Sequence, residues 1–308
     1  TGYSLLSSDF AKLRHVIKLL NPGLVFAADD AAYGKAIAAV VPSSTPCVVT
    51  NGGRLTFEEL IDTEATGDVD HATAQVTPDT VAKILFTSGS TGIPKGIINT
   101  QRMLCSNQEM LRTVFAFMKD TPPVTCDWLP WNHTFGGNHN FGLVLYNGGT
   151  LYIDDGRPIG KAFEETIRNL REIATTVYFN VPKGFEALVE HMQRDADLRK
   201  IFFSRLSMTF YAAASLSQHI WDALDDLAVA TCGYRIPMLT GLGATETSPF
   251  ALCAHKETAR AGVVGLPVPG VHLKLAPAGN KLEARVKGPN VTPGFYGESE
   301  ATRAAFDE

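Results

Sequence analysis

The stretch that decides the fold is ILFTSGSTGIPKGI, residues 84–97, in which an apolar run leads straight into a loop of hydroxyls and glycines. The preceding run, VAKILF, predicts a buried strand, and IINT leads on to a long helical pattern. The loop contains the hydroxyl residues Thr87, Ser88, Ser90 and Thr91, the glycines Gly89, Gly92 and Gly96, and Lys95 after Pro94. Such a loop suits phosphate oxygens, because glycines allow close approach, N–H and O–H groups donate hydrogen bonds, and lysine adds positive charge.

Two other interpretations of this loop fit less well. The GxxxxGK phosphate motif fails because Pro94 stands where its second glycine belongs and Gly96 follows Lys95 instead of serine or threonine. A flexible, hydroxyl-rich surface loop is the remaining alternative. That alternative does not account for a lysine held beside a proline close after a strand.

A second stretch, TGLGATET at residues 240–247, follows the predicted strand PML. As a dinucleotide fingerprint it fails, because Glu246 occupies the third glycine position. A carboxylate beside a polyphosphate needs a cation between them, and Mg²⁺ prefers oxygen ligands. We therefore interpret Glu246 as a metal ligand and Thr245 as a phosphate donor. A cap at the start of a helix remains the alternative for Thr245.

The composition excludes several classes of protein. The chain has 308 residues, is 45% hydrophobic and 19% charged, and carries a formal net charge of −5, which argues against a nucleic-acid partner. Its five cysteines are scattered and form no CxxC pair, so neither a zinc site nor a disulfide framework is predicted, and a reducing, cytoplasmic location fits best. No apolar stretch reaches the length of a membrane span, and no signal peptide is visible.

Strand and helix patterns alternate along the chain, which predicts an α/β fold of layered, mostly parallel sheets with helices on both faces. Thr100 is a predicted helix N-cap, and residues 51–80 are predicted to be a polar surface excursion. After Val263, alternating apolar residues around Gly279-Asn280 predict a hairpin. We therefore expect α/β subdomains over residues 1–261 and a small β-rich, barrel-like subdomain over residues 262–308.

Four stretches carry a family resemblance. FTSGSTGIPKG resembles the phosphate loop of the adenylate-forming enzymes, which include acyl-CoA synthetases, peptide-synthetase adenylation domains and luciferases. GLGATE is similar to the family's Tyr-Gly-x-Thr-Glu motif, although Leu242 replaces the usual aromatic residue. YAAAS at 211–215 looks like the adenine-contacting segment, and ARVKGPNVTPGFYGESEATRAAF looks like the stretch that enters the ribose-binding region. The chain ends before the family's ribose-binding aspartate and C-terminal lid domain, so we expect a piece of a longer protein that does not complete the reaction alone.

The resemblance implies ATP-dependent activation of a carboxylic acid to an acyl-adenylate, followed by transfer to coenzyme A or to a carrier-protein thiol. It implies nucleotide contacts from Thr87, Ser88, Gly89, Ser90, Thr91, Gly92, Lys95, Ala213, Ala214, Gly241, Leu242, Gly243, Thr245 and Glu246. Of these, Thr245, Glu246 and Lys95 would carry the catalysis, and Glu246 would bind Mg²⁺. The implied partners are therefore ATP or AMP, Mg²⁺, coenzyme A and a small carboxylic acid.

The segment DWLPWNHTFGGNHNFG, residues 127–142, concentrates aromatic residues and two histidines. A metal site is not predicted there, because no third ligand accompanies the histidines. The resemblance places His133, Phe135 and Gly136 at the acyl pocket; a structural role remains the alternative for His133 and is the prediction for His139. The segment resembles that of feruloyl-CoA-synthetase-like members, and aromatic walls suit a flat acid. A medium-chain fatty acid is the alternative substrate, and a non-catalytic adenylate-binding module is the alternative function.

Overall fold

The computed structural model describes residues 9–88 and 92–307. It divides into two compact units, Thr1–Ile98 with Pro293–Glu308 and Asn99–Thr292. Residues 262–292 belong to the second unit together with residues 99–261. The separate β-rich subdomain from residue 262 onward therefore stays a prediction.

The first unit contains a small sheet of three strands. In chain order its elements are α1 (Ala11–Leu20), β1 (Val25–Asp29), α2 (Asp30–Val40), β2 (Cys47–Asn51), β3 (Leu55–Thr56), α3 (Phe57–Ile61), α4 (Gly67–Ala74), β4 (Val81–Ser88) and β5 (Pro94–Thr100), with a last helix at Ser299–Ala305. Strands β1, β2 and β3 pair in parallel, and β4 pairs with β5. The predicted strand before the hydroxyl loop is thus confirmed as β4.

Residues 51–80 are largely exposed, as predicted, but they hold two short helices that periodicity did not reveal. Neither helix buries a residue, so neither has an apolar face for a sequence pattern to show. Side-chain caps stabilise them instead: the Thr56 hydroxyl accepts from the Glu59 amide at 3.1 Å, and the Thr66 hydroxyl accepts from the Asp68 amide at 3.3 Å.

The second unit holds the larger sheet. Its elements are α5 (Gln101–Val114), β6 (Val124–Asp127), α6 (Phe141–Tyr146), β7 (Thr150–Ile153), α7 (Phe163–Leu170), β8 (Val177–Asn180), α8 (Pro182–Arg194), α9 (Ala196–Phe203), β9 (Met208–Tyr211), α10 (Gln218–Cys232), β10 (Met238–Gly243), β11 (Phe250–Cys253), β12 (Leu266–Pro267), β13 (His272–Ala278) and β14 (Lys281–Lys287). A π-helical turn at Phe135–Asn140 precedes α6. The Thr100 hydroxyl accepts from the Met103 amide at 3.3 Å, which confirms the predicted N-cap of α5.

The strands of the larger sheet lie in the order β12-β11-β10-β9-β8. Strands β8, β9 and β10 are parallel, and Phe179, Phe210 and Leu239 form one cross-strand row. Strands β11 and β12 extend the sheet in antiparallel fashion, and β6 pairs in parallel with β7. The predicted hairpin is confirmed as β13 and β14, with Ala278 opposite Lys281. The mostly parallel α/β prediction therefore holds.

Alternate residues of the central strands bury two separate apolar cores. On one face, Tyr178 and Tyr211 pack with side chains of α8, α9 and α10, such as Phe185 and Trp221. On the other face, Phe179 and Phe210 pack with α5 and with the π-helical turn, through residues such as Leu111 and Phe135. Full burial of one such aromatic side chain contributes roughly 1.5–3 kcal/mol. The parallel strands are consequently covered by helices on both sides.

Candidate active site

A cavity of about 310 Å³ opens at the carboxyl ends of β9 and β10 in the second unit. Parallel strands end at a common edge of a sheet, and ligands of open α/β sheets bind outside that edge. The cavity lining brings together seven of the predicted contacts: His133, Phe135, Ala213, Ala214, Gly241, Leu242 and Gly243. Three segments that are far apart in the sequence therefore meet at one concave surface.

The backbone that follows β9 forms one wall of this cavity. The backbone of Ala213 lies in the left-handed region at φ 77°, which residues other than glycine rarely adopt. Thr240 ties this wall to the next strand, because its hydroxyl donates to the Tyr211 carbonyl at 2.9 Å. Such local strain is common at ligand sites. The predicted adenine-contacting segment is therefore held in a fixed conformation at the cavity.

The glycines of the GLG stretch are required by the close approach of β11 and the turn before it. A β-carbon at Gly241 would overlap the Leu252 carbonyl oxygen, and one at Gly243 would overlap the Pro249 carbonyl oxygen. Packing therefore explains these glycines without a nucleotide, and their nucleotide contact stays a prediction. The Leu242 side chain between them is 41% exposed and forms part of the cavity lining.

Thr245 and Glu246 lie in a 3₁₀ turn, Thr245–Thr247, just beyond the cavity lining. Thr245 is buried, Glu246 is half-buried, and the Glu246 carbonyl accepts from the Thr292 amide at 2.8 Å. Two asparagines fix the end of the turn: Asn107 and Asn290 each donate to the carbonyl oxygens of both Thr247 and Phe250, at 2.9–3.4 Å. The sequence pattern did not predict these hydrogen bonds from the two asparagines.

The predicted Mg²⁺ site at Glu246 depends on one protein carboxylate, and it stays a prediction. Across residues 9–88 and 92–307, no group of three or more His, Cys, Asp or Glu side chains forms a metal cage. Mg²⁺ seldom needs such a cage, because it is usually bound by one or two carboxylates together with phosphate oxygens and water. A single half-buried carboxylate at Glu246 is therefore compatible with an ion that arrives with the nucleotide.

The predicted phosphate loop belongs to the first unit. Thr87 is half-buried near the end of β4, Ser88 ends that strand, and Gly92 is exposed with φ 77°. Lys95 is half-buried in β5 with its Nζ 4.9 Å from the centre of the Phe295 ring. Gly89, Ser90 and Thr91 lie outside the described residues. The contribution of this loop to phosphate binding stays a prediction.

Two of the three predicted substrate residues line the cavity. His133 and Phe135 line the cavity, whereas Gly136 is buried, and a β-carbon there would lie 2.5 Å from the Pro130 carbonyl oxygen. Packing thus accounts for Gly136, and its substrate contact stays a prediction. The His133 Nδ1 accepts from the Phe135 amide at 3.2 Å, so Nε2 carries the proton of the neutral ring. Partial desolvation lowers the pKa of His133 below its usual 6.5, which favours that neutral form.

His139 is a cavity residue for which the sequence predicted only a structural role. It is 1% exposed, and the rings of Phe135, Phe179, Phe210 and Phe250 surround it with centroids 5.1–5.9 Å away. Its Nδ1 lies 2.8 Å from Asn140 Oδ1, and Asn140 Nδ2 donates to Asp127 Oδ2 at 2.9 Å. Burial lowers the pKa of His139 to about 4 and raises the pKa of Asp127 to about 6.

These two shifts predict opposing effects of pH on the free energy of unfolding. The pKa of His139 is about 4 in the folded chain and about 6.5 in the unfolded chain, so the unfolded chain binds the extra proton between these values. The free energy of unfolding therefore increases as pH rises through that window. The pKa of Asp127 is about 6 in the folded chain and about 3.8 in the unfolded chain, so the folded chain binds the extra proton between these values. The free energy of unfolding therefore decreases as pH rises through that window. Each effect amounts to about 3 kcal/mol, so the two nearly cancel.

Urea unfolding between pH 4 and pH 7 separates the two effects. Relative to the wild type, Asp127→Asn leaves the histidine effect unopposed, so we expect its stability to rise with pH. His139→Phe leaves the aspartate effect unopposed, so we expect its stability to fall over the same range. Parallel profiles for the three proteins would contradict the assignment of these pKa shifts.

The cavity lies outside the carboxyl ends of parallel strands, which is where open α/β sheets bind their ligands. Residues 7–296 match the model of the AMP-binding enzyme family, and the chain belongs to that family. Across the described part of the chain, no helix has the length and apolar character needed to cross a membrane.

Individual relatives are distant in sequence. The chain is 26% identical over 260 residues to a methyl-dioxo-octahydro-indenyl propanoyl:CoA ligase of Rhodococcus jostii (strain RHA1), covering 82% of this chain and 46% of the relative. It is 25% identical over 268 residues to probable 4-coumarate–CoA ligase 2 of Dictyostelium discoideum, and the match covers 84% of this chain and 46% of that relative. A malonyl-CoA ligase product complex with methylmalonyl-CoA and AMP superposes with a TM-score of 0.72 at 25% identity, covering 96% of this chain and 59% of that one. The chain spans about half the length of the curated relatives it matches.

Proposed function

We propose that the protein that carries this chain activates a carboxylic acid with ATP and transfers the acyl group to coenzyme A. In the first step, a carboxylate oxygen of the acid attacks the α-phosphorus of ATP, which forms the acyl-adenylate and releases pyrophosphate. In the second step, the coenzyme A thiolate attacks the acyl carbon, which forms the thioester and releases AMP, while the thiol proton goes to solvent.

The observation that carries this proposal is the single cavity shared by the two predicted binding segments. His133 and Phe135, predicted for the acid, line the same surface as Ala213 and Gly241, predicted for the nucleotide. An adenylation site must hold the carboxylate and the α-phosphate side by side, because reaction requires near contact of the reacting atoms. A module that binds only adenylate has no need for a second binding segment at that place.

Residue roles follow from the charges that develop. Both reactants are anions, so the site must provide cations and hydrogen-bond donors away from bulk water. In this proposal the hydroxyls from Thr87 to Thr91 and Lys95 hold the β- and γ-phosphates, and Thr245 donates to the α-phosphate. Glu246 holds Mg²⁺, which offsets phosphate charge when bound. The protonated Nε2 of neutral His133 donates to the carboxylate end of the acid.

We propose an aromatic acid of the phenylpropenoic class as the substrate. The cavity volume of about 310 Å³ lies at the small end of ligand pockets, and Phe135, Phe210 and Phe250 supply phenyl walls that suit a flat ring. The name of the Dictyostelium relative, probable 4-coumarate–CoA ligase 2, points to the same class. A medium-chain fatty acid is the competing substrate. The cysteines carry no disulfide, which suits the cytoplasmic location that we propose.

Pyrophosphate release tests the proposal. The protein is incubated with ATP, Mg²⁺ and a panel of cinnamic, benzoic and C6–C12 fatty acids, and pyrophosphate and acyl-CoA are measured in parallel. We expect release with the aromatic acids and thioester only when coenzyme A is present. Pyrophosphate release with the fatty acids but not with the aromatic acids would show that the substrate is a fatty acid. Binding of AMP, with no acid supporting pyrophosphate release, would favour a non-catalytic module.

Replacing Phe135 with leucine is expected to change which acids are accepted more than it changes the affinity for ATP. The Phe135 ring is 4% exposed and lies 6.2 Å from the Phe210 ring at the cavity wall, so its loss alters the wall that a flat acid would contact. The measurement compares kcat/KM across the acid panel with KM for ATP. Phe185→Leu is the matched control, because Phe185 is buried on the opposite face of the sheet. An acid profile unchanged by Phe135→Leu contradicts the assignment.

A further inference from the structure

The ammonium group of Lys95 lies over an aromatic ring that is not among the predicted site residues. Its Nζ is 4.9 Å from the centre of the Phe295 ring, which is within the range of a cation–π interaction. Both side chains are half-buried, and within residues 9–88 and 92–307 no carboxylate forms an ion pair with Lys95. The ring is therefore the group that the described structure sets against this cation.

Backbone pairing fixes this contact, because the segment around Phe295 runs antiparallel to β5. Ile97 and Phe295 lie directly opposite each other, and two backbone hydrogen bonds of 2.8 Å and 3.3 Å flank the pair. Side chains alternate along a strand, so Lys95 shares the face of Ile97 and is a diagonal neighbour of Phe295. Long and aromatic side chains reach each other across such a diagonal.

The last helix, Ser299–Ala305, fixes the same segment from its other side. The Phe295 amide donates to the Thr302 hydroxyl at 3.0 Å, and that hydroxyl donates to the Glu298 carbonyl at 2.8 Å. Gly294 has a φ of 147°, and a β-carbon there would overlap the Thr302 side chain. The backbone of Phe295 is thus held by β5 and by the helix, while its ring faces Lys95.

An aromatic ring suits a phosphate-binding lysine better than a carboxylate would. A carboxylate would cancel the charge of the ammonium and would repel the phosphates. The quadrupole of a ring attracts a cation but carries no net charge, so the ammonium keeps its full charge for an anion. A flexible lysine stem loses rotamer freedom when it binds a phosphate, and a ring that already orients the stem reduces that loss.

We propose that Phe295 is a positioning residue for the β- and γ-phosphates of ATP, because its ring holds the Lys95 ammonium in the orientation that binds them. The inference rests on the proposed function, in which Lys95 contacts those phosphates, and adds a residue that acts through Lys95. Loss of the ring should therefore weaken the binding of ATP and leave the binding of AMP unchanged, since AMP lacks both phosphates.

Calorimetric titration of the protein with ATP and with AMP, in the presence of Mg²⁺, tests the inference. Phe295→Leu removes the ring and keeps an apolar side chain, so we expect its Kd for ATP to rise about two- to fivefold at an unchanged Kd for AMP. Phe295→Tyr keeps the ring, so we expect it to bind ATP as the wild type does. Tyr296→Leu is the matched control, because strand alternation places this neighbouring aromatic side chain on the other face.

Two further measurements separate an effect through Lys95 from a change in the fold. In the Lys95→Ala background, the additional Phe295→Leu change should not alter the affinity for ATP. In wild-type protein labelled with ¹³C-lysine, the ring current of Phe295 should move the ε-methylene proton resonance of Lys95 upfield. We expect Phe295→Leu to abolish that shift and Phe295→Tyr to retain it, and the resonance is identified by its absence in Lys95→Ala.

Equal weakening of ATP and AMP binding by Phe295→Leu would mean that the ring only supports the fold, and would overturn the inference. Unchanged affinity for ATP, a missing ring-current shift in the wild type, or a further loss in the Lys95→Ala background would also overturn it. If acid-dependent pyrophosphate release is observed without the ATP-selective effect, only the role of Phe295 is refuted. If no acid supports release, the proposed function is wrong, and an ATP-selective effect would assign Phe295 to nucleotide binding alone.

Discussion

Replacing Glu246 with glutamine, or Lys95 with alanine, is expected to lower acid-dependent pyrophosphate release by about a hundredfold, because each change removes one preorganised electrostatic contact to the phosphates. The glutamine variant keeps the shape of the side chain and the backbone bond from the Thr292 amide to the Glu246 carbonyl. Loss of the fold is therefore not expected to explain the effect. The rate is measured with the aromatic acid that gives the highest turnover in the wild type.

The magnesium dependence distinguishes the two variants. Glu246→Gln removes a metal ligand, so we expect it to need a higher Mg²⁺ concentration for half-maximal rate. Lys95→Ala removes a fixed cation, so we expect its Mg²⁺ requirement to stay close to that of the wild type while its KM for ATP rises. Lys83→Ala is the matched control, because Lys83 is also half-buried and lies in the neighbouring strand β4. Wild-type pyrophosphate release by Glu246→Gln and Lys95→Ala would refute the phosphate assignment.

The parts of the fold that follow from local pattern could be predicted from the sequence. Strands β8, β9 and β10 alternate with helices, and the hairpin of β13 and β14 turns at Gly279-Asn280, as expected. Helix α9 was not predicted, since it follows α8 after the single residue Asp195, whose carboxylate accepts from the Leu198 amide at 2.9 Å. Strand β11 also escaped prediction, because a four-residue apolar run without flanking periodicity does not reveal an antiparallel neighbour.

The site shows the same division between local and long-range information. His133 and Phe135 were expected at the acyl pocket from the family resemblance of their segment; both line the cavity, and their contact with an acid stays a prediction. The surroundings of His139 could not be expected, since the rings that enclose it come from β8, β9 and β11. The same is true of Asn107 and Asn290, which meet across more than 180 positions of sequence.

Simultaneous replacement of Asn107 and Asn290 with alanine is expected to destabilise the protein by about 3–5 kcal/mol, more than the sum of the two single replacements. The Thr247 and Phe250 carbonyl oxygens each accept from both side chains. Either single variant leaves one donor for each carbonyl, so we expect a loss of about 1–2 kcal/mol. The double variant leaves two buried carbonyls without these donors, and the added desolvation cost appears as a coupling energy.

A double-mutant cycle measures that coupling through urea unfolding of the wild type, the two single variants and the double variant. Asn169→Ala combined with Asn290→Ala is the control cycle, because Asn169 donates to Asp154 and has no bond to the turn. We expect a coupling of at least about 1 kcal/mol for Asn107 with Asn290 and none for the control pair. The turn that these carbonyls close also carries Thr245 and Glu246, so pyrophosphate release should fall in the order of the lost stability even at temperatures where every variant is folded. Additive stabilities with unchanged pyrophosphate release would mean that the two asparagines only fill space, and that the backbone alone holds Glu246 in place.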